Sequence, residues 1–188
     1  MASYTVGYFV GSLSSTSINR LLAKALTRLA PPELQLVEIP IRDLPLYSPD
    51  YDADYPPVAQ AFKKAIADCD AVLFVTPEYN RSIPGALKNA IDWASRPWGK
   101  NSWAGKPTAI AGATLGAVGT AAAQSQLRSV VSAVGAALTA QPEIYLNFRE
   151  GLIVDGEITD ENFVTLLKDW TERFADWIAR LRQPVLSF

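Results

Sequence analysis

The residues with the clearest chemical potential follow the first apolar segment of the chain. Positions 11–19 read Gly-Ser-Leu-Ser-Ser-Thr-Ser-Ile-Asn, and five of these nine residues carry a hydroxyl group. The pattern beyond them predicts a helix, whose first N–H groups and positive dipole end favour a bound anion. The segment has no Walker lysine and no Gly-x-Gly-x-x-Gly motif, so triphosphates and dinucleotide pyrophosphates fit poorly. A single phosphate monoester fits better, and a serine-capped helix without a ligand is the alternative.

Two more loops contain residues suited to a ligand. Positions 76–85 read Thr-Pro-Glu-Tyr-Asn-Arg-Ser-Ile-Pro-Gly, where Tyr79 and the backbone of 78–82 can offer a flat surface and N–H donors to a planar heterocycle. Positions 114–119 read Thr-Leu-Gly-Ala-Val-Gly. Glycine lets the main chain approach a ligand closely because it has no side chain. The sequence therefore predicts three ligand-binding loops.

The chain lacks the usual side chains of acid–base and metal catalysis. It contains no histidine, the commonest general base near neutral pH and the commonest metal ligand. Its single cysteine, Cys69, excludes an internal disulfide and a multi-cysteine metal site, and its place before an apolar segment predicts a packed, inert thiol. We therefore expect no catalytic side chain and no metal, and a bound cofactor that carries the reaction.

The elements that must position these loops follow a simple order. Short apolar segments typical of strands covered on both faces lie at 4–10, 34–39, 71–76 and 108–113, with a weaker one within 138–146. Helical patterns lie between them at 18–29, 57–68, 84–95 and 120–134. An apolar stripe from Phe163 to Leu181 predicts a last helix, capped by Thr159 or Asp160, whose tryptophans pack in the core.

This alternation predicts a three-layer α/β fold with five parallel strands in the flavodoxin-like order 2-1-3-4-5. We expect one domain over residues 1–188, because 188 residues are an ordinary size for a single domain. The three loops then leave the carboxyl ends of strands 1, 3 and 4, where doubly wound sheets bind ligands. The long loop 42–56 is either a lid or a plain surface loop.

Charge and hydropathy argue against some classes of binding partner. The net charge is −2 and no run of lysine or arginine occurs, so we expect no binding to nucleic acid or to an anionic membrane. No apolar run reaches the ~18 residues of a membrane span. We expect a cytoplasmic protein whose partner is a small molecule or another subunit.

At these loops the chain resembles the NAD(P)H-dependent FMN reductases, a family that includes bacterial quinone, azo and chromate reductases. The resemblance rests on Gly11-Ser12-Leu13 with Ser17 and Asn19, and on Pro-Glu-Tyr-Asn-x-Ser-x-Pro-Gly-x-Leu-Lys-Asn-Ala-x-Asp-Trp at 77–93. Gly-Lys-Pro at 105–107, followed by the glycines of 114–119 and Leu-Arg at 127–128, carries it further. Ser14 and Ala113 depart from the arginine and serine that many relatives have there, so a preference between NADPH and NADH is not indicated.

The resemblance implies non-covalently bound FMN. The residues that would hold its phosphate are Ser12, Ser17, Ile18 and Asn19. Those around its ring and ribityl chain would be Pro77, Glu78, Tyr79, Asn80 and Ser82, and those at its pyrimidine end Thr114 and Gly116. It implies ping-pong hydride transfer from NADPH or NADH to quinones, azo compounds, free flavin or metal oxyanions. It also implies a homodimer or homotetramer with the flavin near a subunit interface. A flavodoxin-type one-electron carrier that docks on protein partners is the first alternative, and a flavin-free binding module is the second.

Overall fold

The computed structural model describes residues 3–140, 142–154 and 156–182. Its eight strands are β1 (Tyr4–Val10), β2 (Leu34–Glu38), β3 (Ala71–Val75), β4 (Pro107–Thr114), β5 (Ala137–Leu138), β6 (Ile144–Asn147), β7 (Ile153–Val154) and β8 (Glu157–Ile158). Its α-helices are α1 (Ile18–Leu29), α2 (Pro57–Ala67), α3 (Gly85–Ser95), α4 (Ala121–Ala133) and α5 (Glu161–Arg182), and a short 3-10 helix spans Pro49–Tyr51. No helix in these described ranges is long and apolar enough to cross a membrane.

The sheet confirms the predicted order. Parallel strands follow one another as β2-β1-β3-β4-β5, and every residue of β3 is buried because helices cover both faces. On one face α1 and α5 pack over Val6, Leu73 and Ala111. On the other, α2, α3 and α4 enclose an aromatic cluster of Phe9 and Phe74, whose rings stack at 5.1 Å.

The fifth strand differs from the single segment predicted within 138–146. Ala137 and Leu138 pair with the start of β4, whereas Ile144–Asn147 pair with its end, from Ala111 to Thr114. Proline cannot donate to a strand ladder, and Pro142 lies in the interval between the two pieces. The edge of the sheet is therefore covered by two short parallel strands. The small antiparallel pair β7–β8 was not predicted, because two-residue strands leave no periodic pattern.

Helix α5 begins and packs as predicted. The carboxylate of Asp160 accepts hydrogen bonds from the N–H groups of Asn162 and Phe163 at 2.9 and 3.1 Å, which confirms the N-cap. The indole N–H groups of Trp170 and Trp177 donate to backbone carbonyls of the edge strand region, at 3.0 and 2.9 Å. Both tryptophans thus connect α5 by hydrogen bonds to the segment that contains β5 and β6.

The loop at 42–56 is folded against α3. The rings of Tyr47 and Tyr55 lie 5.2 and 5.0 Å from the ring of Trp93, and the Trp93 indole donates to the Pro45 carbonyl at 2.6 Å. Asn89 also accepts from the Tyr47 N–H at 2.9 Å. These contacts are those of a packed surface loop.

Candidate functional site

The three loops begin side by side at one edge of the sheet. Strands β1 and β3 are paired as far as Val10 and Val75, and β3 and β4 as far as Val75 and Ala111. Just beyond the strands, the Gly11 N–H donates to the Val75 carbonyl at 2.9 Å and the Thr76 N–H donates to the Ala111 carbonyl at 3.0 Å. The loops at 11–17, 76–84 and 114–120 therefore leave the carboxyl ends of adjacent strands.

The hydroxyl-rich loop ends in a capped helix. Ser17 is the N-cap of α1, and its Oγ accepts a hydrogen bond from the Arg20 N–H at 3.3 Å. Ser12 and Ser17 are both buried, and the Ser12 Oγ accepts from the Ser14 N–H at 3.3 Å. The N–H groups of Ile18 and Asn19 lie in the first turn, where no intrahelical acceptor exists. This end of α1 thus presents hydroxyl groups and main-chain donors, and no charged side chain precedes Arg20 in the segment 11–19.

The side chain of Asn19 is hydrogen-bonded to β4. Its Nδ2 donates to the Ala113 carbonyl at 2.8 Å, and its Oδ1 accepts from the Ala113 N–H at 2.9 Å. Asn19 is only 1% exposed. The amide is thus held against β4 by one donated and one accepted hydrogen bond, while the main-chain N–H of Asn19 lies in the first turn of α1.

The loop after β3 contains a tight hairpin that the sequence did not reveal. The Tyr79 N–H donates to the Ser82 carbonyl and the Ser82 N–H to the Tyr79 carbonyl, both at 2.9 Å. The two residues between them, Asn80 and Arg81, have positive φ angles of 51° and 65°. This is the backbone of a type I′ turn, which asparagine tolerates and arginine seldom adopts.

Helix α4 holds the hairpin in place. The Glu78 carboxylate accepts from the Ala123 N–H in the first turn of α4 at 3.1 Å, and Arg81 approaches it at 3.6 Å. The Ser82 hydroxyl donates to the Gln126 Oε1 at 2.7 Å, and the Gln126 Nε2 donates to the Arg81 carbonyl at 2.7 Å. The side chains of Glu78 and Ser82 are therefore turned towards α4. Sequence reasoning missed Gln126, since a polar residue on an exposed helix face gives no functional signal.

A cavity of about 340 Å³ lies between this hairpin and the loop after β4. Its volume is within the ~300–1,000 Å³ usual for ligand pockets. Four predicted site residues line it together with Arg81, Ala117, Val118 and Gly119: Glu78, Asn80, Thr114 and Gly116. Space around Gly116 is open, because a Cβ there would meet only Thr114 atoms at 3.8 and 3.9 Å.

Two contacts connect these loops to neighbouring segments. The Tyr79 hydroxyl lies 3.3 Å from the Ser12 Oγ, within hydrogen-bond distance, and so joins the hairpin to the hydroxyl-rich loop. Asn147, at the end of β6, donates to the Gly116 carbonyl at 2.7 Å and so fixes the third loop. Pro77 is buried. Of the predicted residues, Glu78, Asn80, Thr114 and Gly116 thus line the cavity, and the Tyr79–Ser12 contact connects it to the start of α1.

The cleft has the donors that FMN requires. A helix start with hydroxyl groups suits one phosphate monoester, while the preformed hairpin and the open cavity beside Gly116 suit a planar ring. Together with the 2-1-3-4-5 sheet, these features define a flavodoxin-like protein, a class that binds ligands at the switch point of the sheet.

The comparisons with known proteins agree with this class. Residues 4–151 match the family described as NADPH-dependent FMN reductase. A "2-hydroxy-1,4-benzoquinone reductase" from Burkholderia sp is 50% identical over 174 residues, which are 92% of this chain and 95% of that protein. A "Quinone reductase" from Pseudomonas putida strain KT2440 is 43% identical over 93% of this chain and 95% of its own. The solved flavoenzyme NAD(P)H:(acceptor) oxidoreductase FerB from Paracoccus denitrificans superposes with a TM-score of 0.91 at 43% identity, covering 94% of this chain and 98% of that one.

The chain belongs to the NADPH-dependent FMN reductase family. It is an oxidoreductase that uses FMN with NAD(P)H as co-substrate.

Proposed function

We propose that this enzyme is a quinone reductase whose FMN lies in the cleft formed by the loops at 11–19, 76–84 and 114–119. The observation that carries the proposal is the preformed 79–82 hairpin, which lines an open cavity on one side and contacts Ser12 of the hydroxyl-rich loop through Tyr79 at 3.3 Å. Relatives covering over nine tenths of this chain are named as quinone reductases, which supports a quinone as the acceptor.

FMN held in this cleft would supply the redox chemistry that links NAD(P)H to the acceptor. The residues of this chain would bind and orient it. Ser12, Ser17 and the N–H groups of Ile18 and Asn19 would hold the phosphate, since they present donors at a positive helix end. The N–H groups of the loop at 114–119 would favour negative charge at the pyrimidine end, because fixed main-chain dipoles need no rearrangement to do so.

The cavity also favours the reductase over a one-electron carrier. None of the residues that line it in the described part of the chain is aromatic. A second flat ring, from a nicotinamide or a quinone, therefore has access to the same space in turn. This is the arrangement that ping-pong transfer requires, because both substrates must approach to about 3–3.5 Å of the same reactive atom.

Anaerobic mixing tests the proposal. Purified protein loaded with FMN should lose its yellow colour within seconds when NADPH or NADH is added, and a stoichiometric amount of 1,4-benzoquinone should restore it. Bound flavin that neither nucleotide decolourises would favour the one-electron carrier. Failure to bind FMN at micromolar concentration would overturn the site assignment itself.

We also propose that the enzyme is a homodimer or homotetramer that works in the cytoplasm, where NAD(P)H is supplied. Large apolar side chains stand in solvent at Trp98, Leu46 and Leu115, with exposed fractions of 88%, 82% and 74%. Contact with a second copy of the chain would remove such side chains from water. Sedimentation at micromolar concentration should show a dimer or larger assembly. A strict monomer would contradict the proposed assembly.

A further inference from the structure

The proposed phosphate site has a shortage of positive charge. A phosphate monoester carries close to two negative charges at neutral pH. The segment at 11–19 has no lysine or arginine, and a helix dipole supplies only about half an elementary charge. Hydroxyl donors add hydrogen bonds but no charge. A nearby cationic side chain would therefore strengthen phosphate binding considerably.

The nearest cation along α1 is already neutralised. Arg20 lies in the first turn of the helix, but its Nη1 contacts both carboxylate oxygens of Glu38, at 2.5 and 2.7 Å. A guanidinium held by a carboxylate on β2 offers little net charge to a second anion. Arg20 is therefore a poor candidate for the phosphate.

Arg42 is better placed. Strands β1 and β2 are paired as far as Tyr8 and Glu38, so the loop after β2 begins beside the hydroxyl-rich loop. From that loop the Arg42 Nη2 donates to the Leu13 carbonyl, in the middle of the hydroxyl-rich segment. The side chain is exposed, and within residues 3–140, 142–154 and 156–182 it forms no ion pair. A guanidinium has five N–H donors, so most of its donors remain for a ligand.

We propose that Arg42 is a specificity-determining residue that pairs with a phosphate monoester bound at the hydroxyl-rich loop. Two sources share this chemistry, the 5′-phosphate of FMN and the 2′-phosphate of NADPH. The inference rests on the proposed function, because it needs FMN and NAD(P)H to bind in this cleft. Charge-assisted hydrogen bonds from arginine to phosphate are about twice as strong as neutral ones, which gives the contact a measurable effect.

The test compares Arg42→Gln with Lys24→Gln. The control removes one positive charge from an exposed position on α1, seven residues beyond Ser17, which is about 10 Å along the axis. Protein loaded with FMN or with riboflavin is diluted, and the recovery of free-flavin fluorescence gives the dissociation constant of each. The KM values for NADPH and NADH are measured in parallel, and thermal unfolding verifies that each variant is folded.

If Arg42 pairs with FMN, Arg42→Gln should weaken FMN binding about tenfold and leave riboflavin binding within twofold of the parent, with Lys24→Gln unchanged. If it pairs with NADPH, FMN binding should stay constant while the preference for NADPH over NADH falls about tenfold. Arg42→Lys should restore most of either effect, because it keeps the charge. Equal losses for FMN and riboflavin, or no change in any of the four constants, would overturn the inference. Failure of the parent to bind FMN would instead end the proposed function.

Discussion

Replacement of Gln126 by methionine should weaken FMN binding without unfolding the protein. Gln126 is exposed on α4 and does not line the cavity, so a role in packing or direct contact is not indicated. Its amide does bridge the hairpin, accepting from the Ser82 hydroxyl and donating to the Arg81 carbonyl, each at 2.7 Å. Methionine has a similar length and a high helix propensity but lacks both polar groups.

The size of the effect follows from those two contacts. A neutral hydrogen bond contributes about 0.5–1.5 kcal/mol net, and both of these are exposed, so together they stabilise the hairpin by about 1–2 kcal/mol. Arg81 opposes the hairpin, because a left-handed conformation costs about 1–2 kcal/mol for a residue with a Cβ. If the hairpin must be formed for FMN to bind, the dissociation constant should rise by about 5- to 30-fold.

Flavin fluorescence titration measures this constant. Ser129→Met is the matched control, because it places the same side chain on the same helix at an exposed position one turn further on. The same substitution is also measured in a protein that carries Arg81→Gly. Arg81→Gly removes the strain of the positive φ angle, so the loss caused by Gln126→Met should be smaller in the glycine background. Unchanged FMN binding in Gln126→Met, or an identical loss in both backgrounds, would refute the role assigned to Gln126.

Three further predictions concern the helix start, its anchor and the buried thiol. Ser17→Asp should keep α1 capped but weaken FMN binding by on the order of 2–4 kcal/mol, because its carboxylate repels the phosphate. Ser17→Ala should weaken FMN binding by about 1 kcal/mol, the loss of one hydrogen bond. If calorimetry finds that Ser17→Asp binds FMN as tightly as the parent, Ser17 is not part of the phosphate site. Asn19→Ala should lower the free energy of unfolding, measured in urea, by about 2–4 kcal/mol, since it leaves the buried N–H and carbonyl of Ala113 without their Asn19 partner. A loss well below ~1 kcal/mol would contradict a stabilising role of the Asn19–Ala113 hydrogen bonds. Burial raises the pKa of the Cys69 thiol, so the reactive thiolate is scarcer in the native protein at pH 8 than in the unfolded chain. Iodoacetamide should therefore label Cys69 far more slowly in the native protein than in urea. Equal labelling rates would contradict an inert thiol.

The sequence by itself determined the architecture and which loops lie at the same edge of the sheet. Short apolar segments separated by helical patterns are sufficient to predict a parallel sheet, because strands buried on both faces have no polar side to show. Parallel order then fixes which loops share an edge, so the pattern along the chain is enough to group the segments at 11–19, 76–85 and 114–119. Local chemistry also predicted a cap at Thr159 or Asp160, and the structure has it at Asp160, since capping depends on residues only three positions apart.

Only the tertiary structure decided which partner each polar side chain takes. Asn19 bonds to Ala113 94 positions away, and Ser82 to Gln126 44 positions away. The break in the edge strand and the left-handed turn at Asn80 and Arg81 likewise depend on neighbours supplied by other elements. A side chain selects its partner from those that the folded chain brings within about 3 Å, and periodicity along the sequence contains no information on that distance.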